Sequence, residues 1–154
     1  MRITVSTSWF VPKPHTAFQW EAQIPVEEYQ RRVGLLRDAL KRDKSITYNW
    51  HDPQTSYLEA IFSRGDRRLA DVLEWAWQHG AKFDSWSEYF DYQRWMDALE
   101  ACGLDGDFYA HRERPRSEVF PWCRIDPMVT PAFLWHEREL CYQSQTCLLY
   151  TSPS

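Results

Sequence analysis

No apolar run in the 154 residues approaches the roughly 20 needed to cross a bilayer, and the opening MRITVSTSWF has no apolar stretch of the export-signal kind. Both absences lead to the expectation of a cytoplasmic protein without membrane contact. A basic excess is also missing. The net charge of −4 and pI near 5.7 argue against general attraction to nucleic acid or anionic lipid, leaving room only for a local basic patch. The four cysteines, Cys102, Cys123, Cys141 and Cys147, form neither CxxC nor CxxxCxxC. Neither a zinc ribbon nor an iron–sulfur loop is therefore encoded locally, and the thiols read as reduced packing residues. No internal repeat is present.

What the chain does have is aromatic rings. Nine Trp, eight Tyr and eight Phe make up 16% of it. Each large ring buries on the order of 150–250 Å², which points to a core built on rings, with a base-stacking surface as the rival use. The length suffices for one domain with a real core.

Along the chain, Ile3 and Val5 alternate with Thr4 and Ser6, a strand pattern over residues 3–10. Pro12 and Pro14 stop it, since neither donates to a ladder, and a loop runs to about Ile24. Pro25 suits the first turn of a helix over 25–42, with Val26, Tyr29, Val33, Leu36 and Leu40 on one stripe. Residues 46–50 read as a second strand, and strand, loop, helix, strand is the pattern of an α/β unit. Helical patterns follow. One starts after Asp52-Pro53 and ends at Gly65 in a left-handed cap, and one over 67–79 is capped by Asp66 and stopped by Gly80. One over 86–102 has Ser85 and Glu88 as a capping box and Gly103 as its stop, and one begins at Thr130-Pro131 and runs to about Tyr142. Residues 104–129 read as irregular.

Four clusters of residues could carry chemistry. Val11-Pro12-Lys13-Pro14-His15-Thr16 leaves the C-terminal end of a strand, where α/β enzymes place their sites. There Lys13 offers a point charge for a carboxylate or phosphate, and His15 and Thr16 offer donors and acceptors. The plain alternative is a proline-stiffened turn. His51 and Asp52 also follow a strand and could act as an acid–base pair or metal ligands, or simply as a hydrogen-bonded His beside a helix cap. Arg64, Asp66, Arg67 and Arg68 surround a turn before a helix, an anion site or a capped turn with Arg–Asp pairs. Phe120-Pro121-Trp122-Cys123-Arg124-Ile125-Asp126 reads as a docked loop.

Taken in order, FVPKPHTAFQW at 10–20, NWHDPQTSYLEAIFSRGDRRL at 49–69, AWQHGAKFDSWSEYF at 76–90, PWCRID at 121–126 and FLWHERE at 133–139 resemble one family. The resemblance, over residues 2–146, is to the C-terminal part of the uncharacterised B12-binding-type radical S-adenosylmethionine proteins. It implies an α/β fragment: the last strand and helix of a partial (β/α)6 radical SAM barrel in residues 1–44, then a mainly helical extension in 45–146. It also implies S-adenosylmethionine, a [4Fe–4S] cluster on an upstream CxxxCxxC loop and possible cobalamin binding in the full-length protein. Lys13, His15 and Thr16 would face the barrel mouth. The missing partners are the upstream barrel and the cobalamin-binding-like domain of the same polypeptide.

The chain departs from the family in lacking the cluster motif, and its last residues, CLLYTSPS at 147–154, do not continue the pattern. That tail is expected to be disordered or artefactual, Cys147 is not read as a cluster ligand, and the fragment is expected to bind no cofactor or metal and to be inactive alone. Two other functions stand beside this one. A small RNA- or anion-binding module would use the patch from Arg64 to Arg68. A metal-dependent hydrolase would use His15, His51 and Asp52, and lacks a further ligand at any recognisable spacing.

Overall fold

The computed structural model describes residues 2–143, so the tail at 147–154 and Cys147 lie outside the described residues. The alternation at the start forms strand β1 (Ile3–Thr7), the apolar stripe forms helix α1 (Val26–Leu40), and strand β2 (Ile46–Trp50) returns parallel to β1. Ile3 stands opposite Ile46 and Thr7 opposite Trp50. The protein is thus α/β, with the strand–loop–helix–strand unit that its sequence predicts.

Two expectations about this unit change. The first strand ends at Thr7 rather than at Phe10, because Trp9 turns inward, only 3% exposed, and stacks on Tyr29 of α1 with ring centroids 5.0 Å apart. Such a pair contributes about 0.5–1.5 kcal/mol beyond its burial, which favours the turn over further ladder. The first strand is also not the last of its sheet. Residues 46–50, read as a strand from their pattern and placed by the resemblance at the start of the mainly helical extension, pair with β1. Ile3 and Trp50 remain 42% and 44% exposed, unusual for parallel strands, which are ordinarily covered on both faces.

Beyond the sheet the chain is helical: α2 (Pro53–Arg64), α3 (Leu69–Gln78), α4 (Tyr92–Ala101), α5 (Gly106–Ala110) and α6 (Pro131–Tyr142). Asp52 caps α2 by accepting from the Thr55 N–H at 3.0 Å, and Thr130 caps α6. The Asp66 carboxylate accepts from the Arg68 N–H, as a cap for the turn entering α3.

Gly65 does not form the left-handed cap expected of it. Its backbone is extended (φ −75°, ψ 175°), and glycine is required for space, since an added Cβ would lie 1.9 Å from Leu69 Cδ1 and 2.9 Å from the Ile61 carbonyl oxygen. Gly80 and Gly103, expected only as stops, are the glycines that take positive φ among the described residues. The third helical pattern begins at Tyr92, not Trp86. Ser85 and Glu88 lie in a run of turns after Phe83, itself at φ 59°, and the working cap is Asp91, which accepts from the Arg94 N–H. The stretch expected to be irregular holds α5, capped by Asp105.

The main core joins α2, α3, α4 and α5 through Ile61, Val72, Ala76, Ala98 and Tyr109. A second cluster, Trp20, Phe120, Trp122 and Leu134, seats α6, and Trp9, Tyr29 and Val33 join α1 to the strand end. The loop between β1 and α1 links all three. Gln23, 1% exposed, donates its N–H to the Ala110 carbonyl and its side-chain amide to the Ser56 carbonyl, while the Arg114 N–H bonds the Trp20 carbonyl. The strand unit and the helical part are one packed body.

Candidate functional site

The loop after β1 is held by side chains. Pro12 is fully buried. The Lys13 ammonium, in an ion pair with Glu59 of α2, also donates to Ser63 Oγ at 2.9 Å. Thr16 Oγ1 donates back to the Lys13 carbonyl at 2.8 Å. His15 takes a left-handed backbone (φ 58°), uncommon outside glycine, and its N–H bonds the side-chain oxygen of buried Gln19. That oxygen also accepts from the Trp122 indole at 2.8 Å. The Phe120–Asp126 segment is thus docked, as expected, and what it docks against is the loop carrying His15. Two prolines and this brace lower the entropy lost in ordering the loop.

His51 and Asp52 follow β2. The His51 N–H extends the ladder to the Thr7 carbonyl, and its own carbonyl accepts from the Tyr29 hydroxyl at 2.8 Å. Asp52 is occupied as a helix cap. Among the described residues no three His, Cys, Asp or Glu side chains converge on a point that could hold a metal ion. His15, His51 and Asp52 are therefore not brought together as a ligand set.

The arginine patch divides. Arg64 is fully buried, with Nη1 donating to the Ala110 carbonyl and Nη2 to the Arg112 carbonyl, each at 2.7 Å. Burial first, then the neighbouring Arg114 and Arg112 charges, push its guanidinium down to about 10. It is an internal tie rather than part of an anion surface. Arg68 pairs with Asp66, whose carboxyl that bond holds below the usual range, and lies over the rings of Phe108 and Tyr109. Arg67 is exposed.

The structure gathers a further group that the sequence reading passed over. A cleft of about 590 Å³ opens where α1 and α2 begin, lined by Trp9, Tyr57, Tyr92, Met96, Glu27, Asp107 and His111 among others. Tyr57 donates to Asp107 Oδ1 at 2.6 Å, and Gly106 makes this possible, because a Cβ there would lie 2.5 Å from the Tyr57 hydroxyl. Burial and then the bond to Asp107 push the Tyr57 hydroxyl above the usual phenol range, so it stays a donor. His111 stacks on Tyr57 at 5.3 Å, with Nδ1 2.8 Å from the Gln23 carbonyl and Nε2 3.7 Å from Asp107. The available signal is Asp107 and His111 one helical turn apart behind an Asp105 cap, within the stretch that reads as irregular.

The cluster implied by the family resemblance does not fit this chain's cysteines. Cys102 is partly buried while Cys123 and Cys141 are exposed, and none stands at cluster spacing from another. No helix among the described residues is long and apolar enough to cross a membrane. Compared with protein-family models, curated proteins and solved structures, the chain matches none.

Proposed function

We propose that the chain is the C-terminal part of a radical S-adenosylmethionine enzyme, contributing β1, α1 and β2 to the end of its partial barrel and the helices as an extension. The observation that carries this reading is the parallel βαβ unit whose strands stay partly exposed, with a side-chain-braced loop at the C-terminal end of β1. Parallel strands ordinarily belong to larger, covered sheets, and the C-terminal ends of such strands are where sites are built. In this reading β2 rather than β1 is the final barrel strand. Lys13, His15 and Thr16 would face S-adenosylmethionine or substrate, and the cluster would sit on an upstream loop of the same polypeptide, beside a cobalamin-binding-like domain. No step of the radical chemistry is assigned to residues of this chain, and alone it would be inactive.

Sequencing the DNA that precedes Met1 tests the proposal. An in-frame extension encoding CxxxCxxC is expected. A stop codon in frame, with no such motif between it and Met1, sinks the idea.

A further inference from the structure

We propose that the cleft between the first turns of α1 and α2 binds a small organic cation, a protonated amine attached to an aromatic or alkyl body. The inference rests on the cleft alone and holds with or without the barrel assignment. At about 590 Å³ the cleft has the capacity of a small-molecule site. Among the described residues its walls include three aromatic side chains, Trp9, Tyr57 and Tyr92, two carboxylates, Glu27 and Asp107, and the imidazole of His111, with neither Lys nor Arg. Aromatic walls suit the apolar body of an amine, and carboxylates beside them suit its ammonium group through charge.

The depth of these groups sets an orientation. Trp9 is buried, and its indole N–H has no hydrogen-bond partner among the described residues. Glu27 is exposed, and the Asp107 side chain is 67% exposed. The ammonium would therefore sit toward the rim and the ligand body against the rings. Asp107 is fixed by the bond from Tyr57, which Gly106 makes room for, and His111 is fixed through the Gln23 carbonyl. The site is thus braced before any ligand enters. Two features pull the other way: the His111 ring stands 3.7 Å from Asp107, and the N-terminal turn of α1 opens on the cleft with no side-chain cap among the described residues. A helix N-terminus is equivalent to roughly half a positive charge, and the two full carboxylates outweigh it.

The test uses the 154-residue chain and three probes of similar size: phenethylamine as the cation, 2-phenylethanol as its neutral counterpart and 3-phenylpropionate as the anion. Binding is followed by calorimetry and by the change in tryptophan fluorescence. Phenethylamine is expected to saturate and to bind about tenfold or more tighter than 2-phenylethanol, with 3-phenylpropionate weakest. Asp107→Asn, which keeps an acceptor for Tyr57, and Glu27→Gln, on an exposed helix turn, should each weaken phenethylamine about fivefold and leave 2-phenylethanol unchanged. Variants with an unaltered melting transition qualify for the comparison. Equal affinity for the three probes, tighter binding of the anion, no saturable binding of the cation, or carboxamide variants that bind it undiminished would each overturn the proposal.

Discussion

The guanidinium of Arg114 donates to the backbone carbonyl of Arg64 at 2.7 Å, while the guanidinium of Arg64 donates to the carbonyls of Ala110 and Arg112 on either side of the turn leaving α5. Each arginine thus closes the other's segment, and α2 is tied to the chain beyond α5 by charged donors on neutral acceptors. Removing Arg64 would take the side-chain donor from the Arg112 carbonyl, leave the Ala110 carbonyl with the Gln23 N–H alone, and open a cavity in the interior. Arg64→Leu is expected to destabilise the fold by about 3–5 kcal/mol in urea denaturation. Arg64→Lys should lose about 2 kcal/mol or more, because a single ammonium cannot span both carbonyls as the planar fork does. A change under about 1 kcal/mol in both variants would show that the tie carries no stability.

Two glycines should respond to alanine with opposite signs. Gly65 has an ordinary extended backbone but no room, with Leu69 and the Ile61 carbonyl both within 3 Å of any added Cβ. Gly65→Ala is expected to cost about 1–3 kcal/mol through overpacking. Gly34 lies inside α1 with nothing within 4 Å, so Gly34→Ala should stabilise by about 0.5–1 kcal/mol through the lower entropy of the unfolded chain. Thermal melts of the two variants, shifted in opposite directions, would bear this out.

Much of the secondary structure could be read from local chemistry. The Asp52-Pro53 start of α2 and the Thr130-Pro131 start of α6 act through side-chain bonds within one turn, and Pro25 precedes α1 with its fixed φ of −60°. The errors arose where distant packing decided. Ser85 and Glu88 have capping-box spacing, yet Asp91 takes the role, with the preceding residues held in turns after a left-handed Phe83. Arg64 looked like a surface cation because composition cannot reveal that Ala110 and Arg112, far along the chain, offer it carbonyls. The cleft was illegible for the same reason, since Trp9, Tyr57 and His111 meet only when α5 packs on α2 and the β1 exit.

Lys13 separates structural from functional roles in the loop after β1. Its partner Glu59 is 49% exposed and Lys13 itself 43%, and pairs this open to water contribute about 1 kcal/mol or less. Lys13→Met should therefore change stability by no more than about 1 kcal/mol in the isolated chain. In an enzyme that also carries the upstream barrel, the same substitution should lower turnover or raise KM. A large loss of stability would instead assign Lys13 to the scaffold.

Glu118 should set part of the acid sensitivity. Arg112 grips it with both terminal nitrogens, at 2.6 Å and 2.8 Å, and the Nε of buried Arg114 lies 3.6 Å away. The bond from Arg112 holds the carboxyl below its ordinary 4.5, burial opposing this in part. With the folded value below the unfolded one, the unfolded chain binds more protons in the interval between them, so stability rises with pH there. The contribution is complete above about 4.5 and is lost as the pH falls through the depressed folded value. Urea midpoints measured between about pH 6 and pH 3 should therefore fall less steeply in Glu118→Gln than in the parent. At neutral pH the variant should be less stable by about 1–2 kcal/mol, a value discounted for the partial exposure of Arg112. Parallel acid profiles for the two proteins would show that Glu118 titrates alike in the folded and unfolded chain, and would remove the pair from the account of stability.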